Sequence, residues 1–171
     1  MFIYAMQVIT GCEEKLIANV NAIDRELANK LHFLKKTEIR RKNGQNIKKI
    51  VPVFPGYIFL CLPDALTVEN YHLLKKSVYF NRFLPNNENI LSLTGNDFFI
   101  IKKLTSFGSI TEQSLATFGL DDKIIVLEGP LKGLEGFITK VDKRKGRVTI
   151  VLDLYGEKFP ISLFVTYVSK R

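Results

Sequence analysis

Cysteine and histidine are scarce in this chain, two of each among 171 residues, and that scarcity closes off several chemistries. Cys12, Cys61, His32 and His72 are too far apart in sequence to suggest a metal site, and two cysteines make no disulfide framework. The thiols read as buried and free, in a reducing compartment. No phosphate-binding glycine loop and no Ser/His/Asp arrangement is present, so the expectation is a protein that is not an enzyme and takes no cofactor and no metal. Lys and Arg are missing ahead of the apolar opening MFIYAMQVITGC. Its Ile-Thr-Gly-Cys loosely resembles a lipoprotein cleavage box, yet without the positively charged flank of a signal peptide it reads as an uncleaved, unlipidated start. No other run approaches membrane-spanning length, which points to a cytoplasmic protein with no membrane partner.

Apolar content of 46% and charged content of 25% describe a globular chain able to bury one large or two small cores. A net charge of +8, with 13 Phe, 6 Tyr and no Trp, suits contact with a polyanion, since each Lys or Arg near a phosphate releases a counterion.

Residues 2–9 read as a buried strand. Thr10-Gly11-Cys12-Glu13 has the spacing of a capping box. Leu16, Val20, Ile23, Leu27 and Leu31 follow at helical spacing, which predicts one amphipathic helix over 11–32. Between Lys30 and Lys49 lie eight basic residues against a single acid, Glu38. Asn43-Gly44 in the middle signals a tight turn, so a basic β-hairpin is expected to project from the body. A solvated edge hairpin kept from aggregating by lysine explains the same residues equally well. Phe54-Pro55-Gly56-Tyr57 starts an aromatic strand running to residue 62, with proline and glycine fixing its entry. A short helix over 68–76, a strand over 79–84 and a helix over 94–106 complete an α+β half, an antiparallel sheet flanked by helices over 1–105.

Residues 106–118 lack any sustained period and read as a linker. Beyond it, four apolar runs (124–127, 136–141, 148–154 and 159–165) alternate with Gly-containing turns and no helical stretch. Five or so short strands in about fifty residues bury their faces only by closing, so 119–171 is expected to be a small five-stranded β-barrel. Gly129, Gly133 and Gly136 are expected where its turns leave no room for a side chain, with Lys132 exposed at the tip.

Two motifs carry a resemblance. DKIIVLEGPLKGLEGFITKVD, with Gly136 at the motif's glycine, resembles the KOW element of ribosomal and transcription proteins, an SH3-like barrel. Phe54-Pro55-Gly56-Tyr57 resembles the Phe-Pro-Gly-Tyr signature of the N-terminal (NGN) domain of the NusG transcription elongation factors, and MQVITGCE resembles that domain's opening. The motifs lie in the family's order and the similarity spans nearly the whole chain. Two departures stand out: Phe2-Ile3-Tyr4-Ala5 replaces the usual Trp-Tyr opening, and residues 118–171 hold ten Lys/Arg against seven Asp/Glu, four of the cations in the turn DKRKGR (142–147). The pattern is most similar to LoaP-type specialised paralogs, antiterminators whose barrel binds an RNA hairpin.

The resemblance implies a monomeric transcription elongation and antitermination factor. Phe54, Pro55, Tyr57, Phe59 and Phe80 would form an apolar depression for the clamp helices of RNA polymerase. Alternation puts Tyr57 and Phe59 on one face of their strand and Ile58 and Leu60 on the other, so only one set can be exposed; the alternative is that these alternate members are simply core. Lys75, Lys76 and Ser77 match the segment that touches the non-template DNA strand, although helix-end solvation accounts for the two lysines as well. Lys132, Lys143, Arg144, Lys145, Arg147, Tyr155 and Lys158 are the RNA candidates, at two ends of the barrel that cannot readily serve one hairpin together. The alternative is a general NusG factor whose barrel links polymerase to termination factor or the ribosome. Some relatives refold the barrel into a helical hairpin; the branched and aromatic residues of 124–165, with Pro130 and Pro160, predict a domain that stays β.

Overall fold

The computed structural model describes residues 1–42, 44–119 and 123–168, and leaves aside the side chains of Arg40, Arg41, Lys42 and Asn46. In chain order the elements are β1 (Phe2–Val8), α1 (Glu13–Asn21), α2 (Arg25–Ala28), β2 (Leu31–His32), β3 (Lys35–Lys42), β4 (Gln45–Pro52), β5 (Tyr57–Leu62), α3 (Val68–Lys75), β6 (Phe80–Phe83) and α4 (Gly95–Thr105). There follow β7 (Ile110–Thr111), β8 (Ser114–Phe118), β9 (Ile124–Glu128), β10 (Ile138–Asp142), β11 (Arg147–Leu154) and β12 (Glu157–Tyr167). The fold is α+β, with a helix-flanked N-terminal sheet and a C-terminal curled β-sheet.

The N-terminal sheet has the order β2-β5-β1-β6, all antiparallel. Its two central strands are nearly continuous apolar runs because both faces are covered. On one face Tyr4, Met6, Ile58 and Leu60 pack with Leu16, Val20, Leu27 and Leu74 of the first three helices. On the other, Ile3, Ala5, Tyr57 and Phe59 pack with Ile100, Ile101 and Leu104 of α4, in a cluster that continues into Val148, Ile150, Leu152 and Ile161 of the C-terminal sheet. The apolar depression implied for the Tyr57 and Phe59 face of β5 is therefore not open, and the alternative reading of these residues as core is what the structure shows: α4 and the C-terminal half close the face.

The helix expected over 11–32 is broken. Asp24 leaves helical geometry (φ −142, ψ 101) and its carboxylate accepts from Leu27 N at 2.9 Å, so an N-cap preference overrides the apolar spacing. Ile23, predicted in the buried stripe, is 66% exposed. The capping box also fails: Cys12 occupies the N-cap without a side-chain bond. Glu13 turns inward and accepts from the backbone N–H of Gly56 at 2.7 Å. The expected short helices and the 79–84 strand are found as α3, α4 and β6.

The basic hairpin forms from β3 and β4, paired from Lys35↔Pro52 to Lys42↔Gln45; Asn43 of its turn lies outside the described residues. Instead of standing free, it gains β7 as a parallel neighbour of β3 and lies against the C-terminal half. The C-terminal sheet has the order β10-β11-β12-β8-β9, antiparallel except where β8 runs parallel to β12. Its strand β8 falls inside the segment read as linker. Ser114, Ala116 and Thr117 are buried, and their small size, which blurred the strand pattern, permits close approach. A Cβ on Gly129 (φ +99) would lie 2.8 Å from the Ser114 Cα. Gly136, by contrast, has open space and no positive φ, so the steric role expected for it is absent; it lies in a single 3-10 turn, Glu135–Phe137.

No helix among the described residues is long and apolar enough to cross a membrane, and none of their His, Cys, Asp and Glu side chains form a group of three suited to a metal. Cys12 and Cys61 are free thiols, half-buried instead of fully enclosed.

Candidate functional site

The Phe-Pro-Gly-Tyr turn is locked from three sides. Gly56 has φ +82 and donates to the 3%-exposed Glu13, its carbonyl accepts from Val8 N at 2.8 Å, and Tyr57 N donates to the Phe54 carbonyl at 3.2 Å. A Cβ at Gly56 would lie 2.7 Å from Thr10 Oγ1, so glycine alone fits between β1 and the turn. Phe54 and Phe59 meet edge to face at 5.1 Å inside the core. Above them Tyr57 is 7% exposed, with Pro55 exposed beside it.

Tyr57 is covered by the C-terminal half. Its ring meets that of Phe159 edge to face at 5.0 Å, and its hydroxyl donates to Glu157 at 3.4 Å. Glu157 also faces Arg82 at 3.6 Å. Burial, then the Glu157 charge and hydrogen bond, raise the Tyr57 phenol above its ordinary value. Phe80 does not join this surface: it packs on Phe83 at 5.5 Å, in the cluster on the helix-covered face of the sheet.

Further contacts rim the same interface. The Tyr155 hydroxyl donates to the Leu91 carbonyl at 2.7 Å, from a left-handed backbone (φ 56) in the β11–β12 turn. Asp153 N donates to Asp97 at 3.1 Å, and Phe99 lies 6.0 Å from Phe137. From the hairpin, Lys36 Nζ donates to the Ser162 carbonyl at 2.5 Å. Glu38 pairs with Arg147 at 3.2 Å, and the Arg147 guanidinium lies 4.6 Å over the Phe164 ring. Burial lowers the Lys36 pKa, opposed by Glu38 and assisted by Arg147. Apart from the aromatic pairs these contacts are single polar bonds at a partly wet boundary, each of which water or another ligand can replace at modest cost.

The cations divide accordingly. Lys132, Arg144, Lys145 and Lys158 are exposed. Lys143 sits 4.1 Å over the Phe118 ring, and Lys145 N donates to Asp142 to close the β10–β11 turn. Arg147 and Tyr155 are engaged at the interface. The 142–147 turn and the Tyr155–Lys158 turn lie at opposite ends of the eight-residue β11, about 23 Å apart at 3.3 Å per residue. Lys75 and Lys76 are exposed at the C-terminal end of α3, with Lys75 5.6 Å over Tyr71. The Ser77 hydroxyl accepts from Asn19 at 3.5 Å. Beneath Lys76 and Ser77 a cavity of about 290 Å³ is lined by Val20, Ile23 and Leu73.

Sequence reasoning missed Glu13, Arg82, Glu157 and Phe159. A signal existed for one contact alone: Glu38, the single acid in a strongly basic run, is the residue that meets Arg147.

The site so built is an aromatic face on the helix-flanked sheet, covered by the C-terminal β-sheet, of an α+β protein with no catalytic constellation among the described residues. Comparison with known proteins narrows that class. The family model described as transcription termination factor nusG matches residues 2–102. The chain is 23% identical over 184 residues to the transcription termination/antitermination protein NusG of Synechocystis sp., covering 98% of this chain and 88% of the relative. The protein of that name in Bacillus subtilis is 22% identical over 178 residues, covering 98% and 97%. Among solved structures, one described as "Domain interaction in Thermotoga maritima NusG" aligns with a TM-score of 0.53 at 19% identity, covering 95% of this chain and 93% of that one; at that identity it shows the fold. The chain belongs to the NusG family, whose members are transcription termination and antitermination factors and not enzymes.

Proposed function

We propose that this protein is a specialised antitermination factor of the cytoplasm, with a polymerase-binding half over 1–105 and an RNA-binding half built on the C-terminal sheet. The clamp helices of RNA polymerase would dock on the Tyr57 face by helix-in-groove recognition, with aromatic anchors supplying most of the energy. Tyr57 and Pro55 make the contact, and Phe54 and Phe59 support the ring from below; Phe80, on the opposite, helix-covered face of the sheet, takes no part. Lys75, Lys76 and Ser77 attract the non-template strand through its backbone. Lys132, Lys143, Arg144, Lys145, Arg147, Tyr155 and Lys158 supply the surface for a nascent RNA hairpin. The bound factor bridges the clamp over the DNA cleft and disfavours paused states, a binding effect without chemistry.

The observation that carries this reading is the burial of Tyr57 against Phe159 and Glu157. The apolar face is covered through an apolar cluster shared with Val148, Ile150, Leu152 and Ile161, two aromatic pairs and single polar bonds, and on this reading the polymerase-binding form is the one in which the C-terminal half has moved away. Pull-down of polymerase with the full chain, followed by RNA crosslinking, tests both halves. Tyr57→Ala is expected to abolish polymerase capture, and Lys132→Ala or Arg144→Ala to weaken hairpin binding with a shallower salt dependence. Hairpin affinity unchanged in both lysine and arginine variants across salt would remove the RNA surface from the proposal.

A further inference from the structure

The sheet β4-β3-β7 has one face covered and one open. Lys36 and Glu38 point to the covered side, where they meet Ser162 and Arg147 of the C-terminal sheet. Alternation therefore turns Thr37 and Ile39 the other way, and their cross-strand partners Ile50 and Lys48 share that face. Ile110, opposite Lys35 on the parallel strand β7, joins them. Thr37, Ile39 and Lys48 line a shallow cavity of about 300 Å³ together with Glu112 and Gln113. Ile110, Glu112 and Gln113 also wall a groove of about 460 Å³, whose lining continues through Phe107, Leu115 and Glu128. Ile50, Ile110, Phe107 and Leu115 are all exposed, Ile50 by 53%. Single exposed apolar side chains are ordinary, but four in one connected strip mark a contact surface.

The charges along the strip are separated by sign. Lys48 stands on β4 at one margin, and Glu112 and Glu128 stand beyond β7 at the other. Among the described residues none of the three has an ion-pair partner in its own chain. A partner of one sign satisfies one margin and opposes the other. A face with opposite signs at its two margins is instead complementary to itself under a two-fold rotation.

We propose that this face pairs two copies of the chain about a two-fold axis running along β3. The rotation lays β4 of each copy over β7 and the groove of the other. That brings Lys48 toward Glu112 and Glu128 and Ile50 onto the apolar strip, with Ile39 of both copies near the axis. Each contact is made twice, so a modest surface charge pair counts double. Three strands at about 4.8 Å spacing, with one groove beside them, offer less than the roughly 800 Å² per partner of a standard interface. Pairing is therefore weak, with half-association at about 100 µM, and the single chain implied by the family resemblance is the dilute form. The contact uses neither the Tyr57 face nor the exposed cations of the 142–147 turn, so it is independent of the function proposed above.

Sedimentation velocity of the full chain from about 5 to about 500 µM reads the association on both sides of that midpoint. The weight-average mass is expected to rise from one chain toward two and to stop there. Lys48→Glu and Glu112→Lys each set like charges together twice and should weaken association about tenfold. Mixing the two variants is expected to restore it, because the mixed dimer has opposite charges at both crossings. A contact within one chain gains nothing from mixing. Amide spectra of the dilute variants check that each still folds, and Ile50→Ser, at a position already open to water, supplies an uncharged second probe that should also weaken pairing. A native chain that stays single at the highest concentration overturns the proposal. Association left unchanged by both charge variants places the contact elsewhere and overturns it too, as does a mass that climbs past two chains, the result of pairing through the free edge of β4. Association lost in both variants and not recovered on mixing overturns the two-fold geometry.

Discussion

Replacing Phe159 with alanine removes the ring that seals Tyr57 and should shift the chain from closed toward open. The edge-to-face pair at 5.0 Å contributes about 1 kcal/mol beyond simple burial. Phe159 is half-buried, so the apolar area it loses accounts for about 1 kcal/mol more. The sum, about 2 kcal/mol, lowers the closed-to-open ratio about 30-fold. Tyr57 itself reports the change, because burial and then Glu157 raise its phenol above 10.0 in the closed form. Spectrophotometric titration of Phe159→Ala, with Tyr57→Phe in the same background subtracted to isolate this residue among the six tyrosines, should show its midpoint falling toward the ordinary value. The sign follows from the raised value: the closed form keeps the phenol protonated. Its contribution to closure is complete below about pH 10 and is lost as pH rises through the raised midpoint. A Tyr57 midpoint in Phe159→Ala no different from that in the surface control Lys158→Ala would refute the reasoning.

Glu13→Ala strands the buried Gly56 N–H and should cost about 2 kcal/mol in denaturant unfolding, with Glu13→Gln, which keeps an acceptor, costing less. Gly56→Ala meets both a left-handed backbone and Thr10 Oγ1 at 2.7 Å; about 2 kcal/mol or more is expected, and Thr10→Ala added to it should recover the steric part alone. Burial pushes the Cys61 thiol up to about 11, opposed by its hydrogen bond with Thr105. Its alkylation, followed by mass spectrometry in the folded chain, should therefore stay slow at pH 8 and rise about tenfold per pH unit toward that value.

The elements most legible in the sequence are those whose cause is local. Val68–Lys75 carries its own N-cap in Thr67, which accepts from Asn70 N, and the hairpin announces itself by Asn-Gly. The elements misread are those with a distant cause. Glu13 has the spacing of a capping residue, yet the stronger demand comes from Gly56, forty-three residues away. Ser114–Phe118 is a strand because β9 and β12 flank it, and nothing within the segment says so. Tyr57 was picked out from its motif as a binding residue, while its cover could not be, because Phe159 and Glu157 lie a hundred residues further on.

Period and turn chemistry indicated the α+β class and the small β unit at the end, since propensity, turn chemistry and alternation act over a few residues, and two short motifs carried the resemblance to the family that the match over residues 2–102 shows. Which face of β5 is shut, and by what, was decided only in three dimensions. Packing one half on the other depends on pairs such as Tyr57 with Phe159 and Asp97 with Asp153, whose partners are set by the folded surfaces and leave no trace in local sequence.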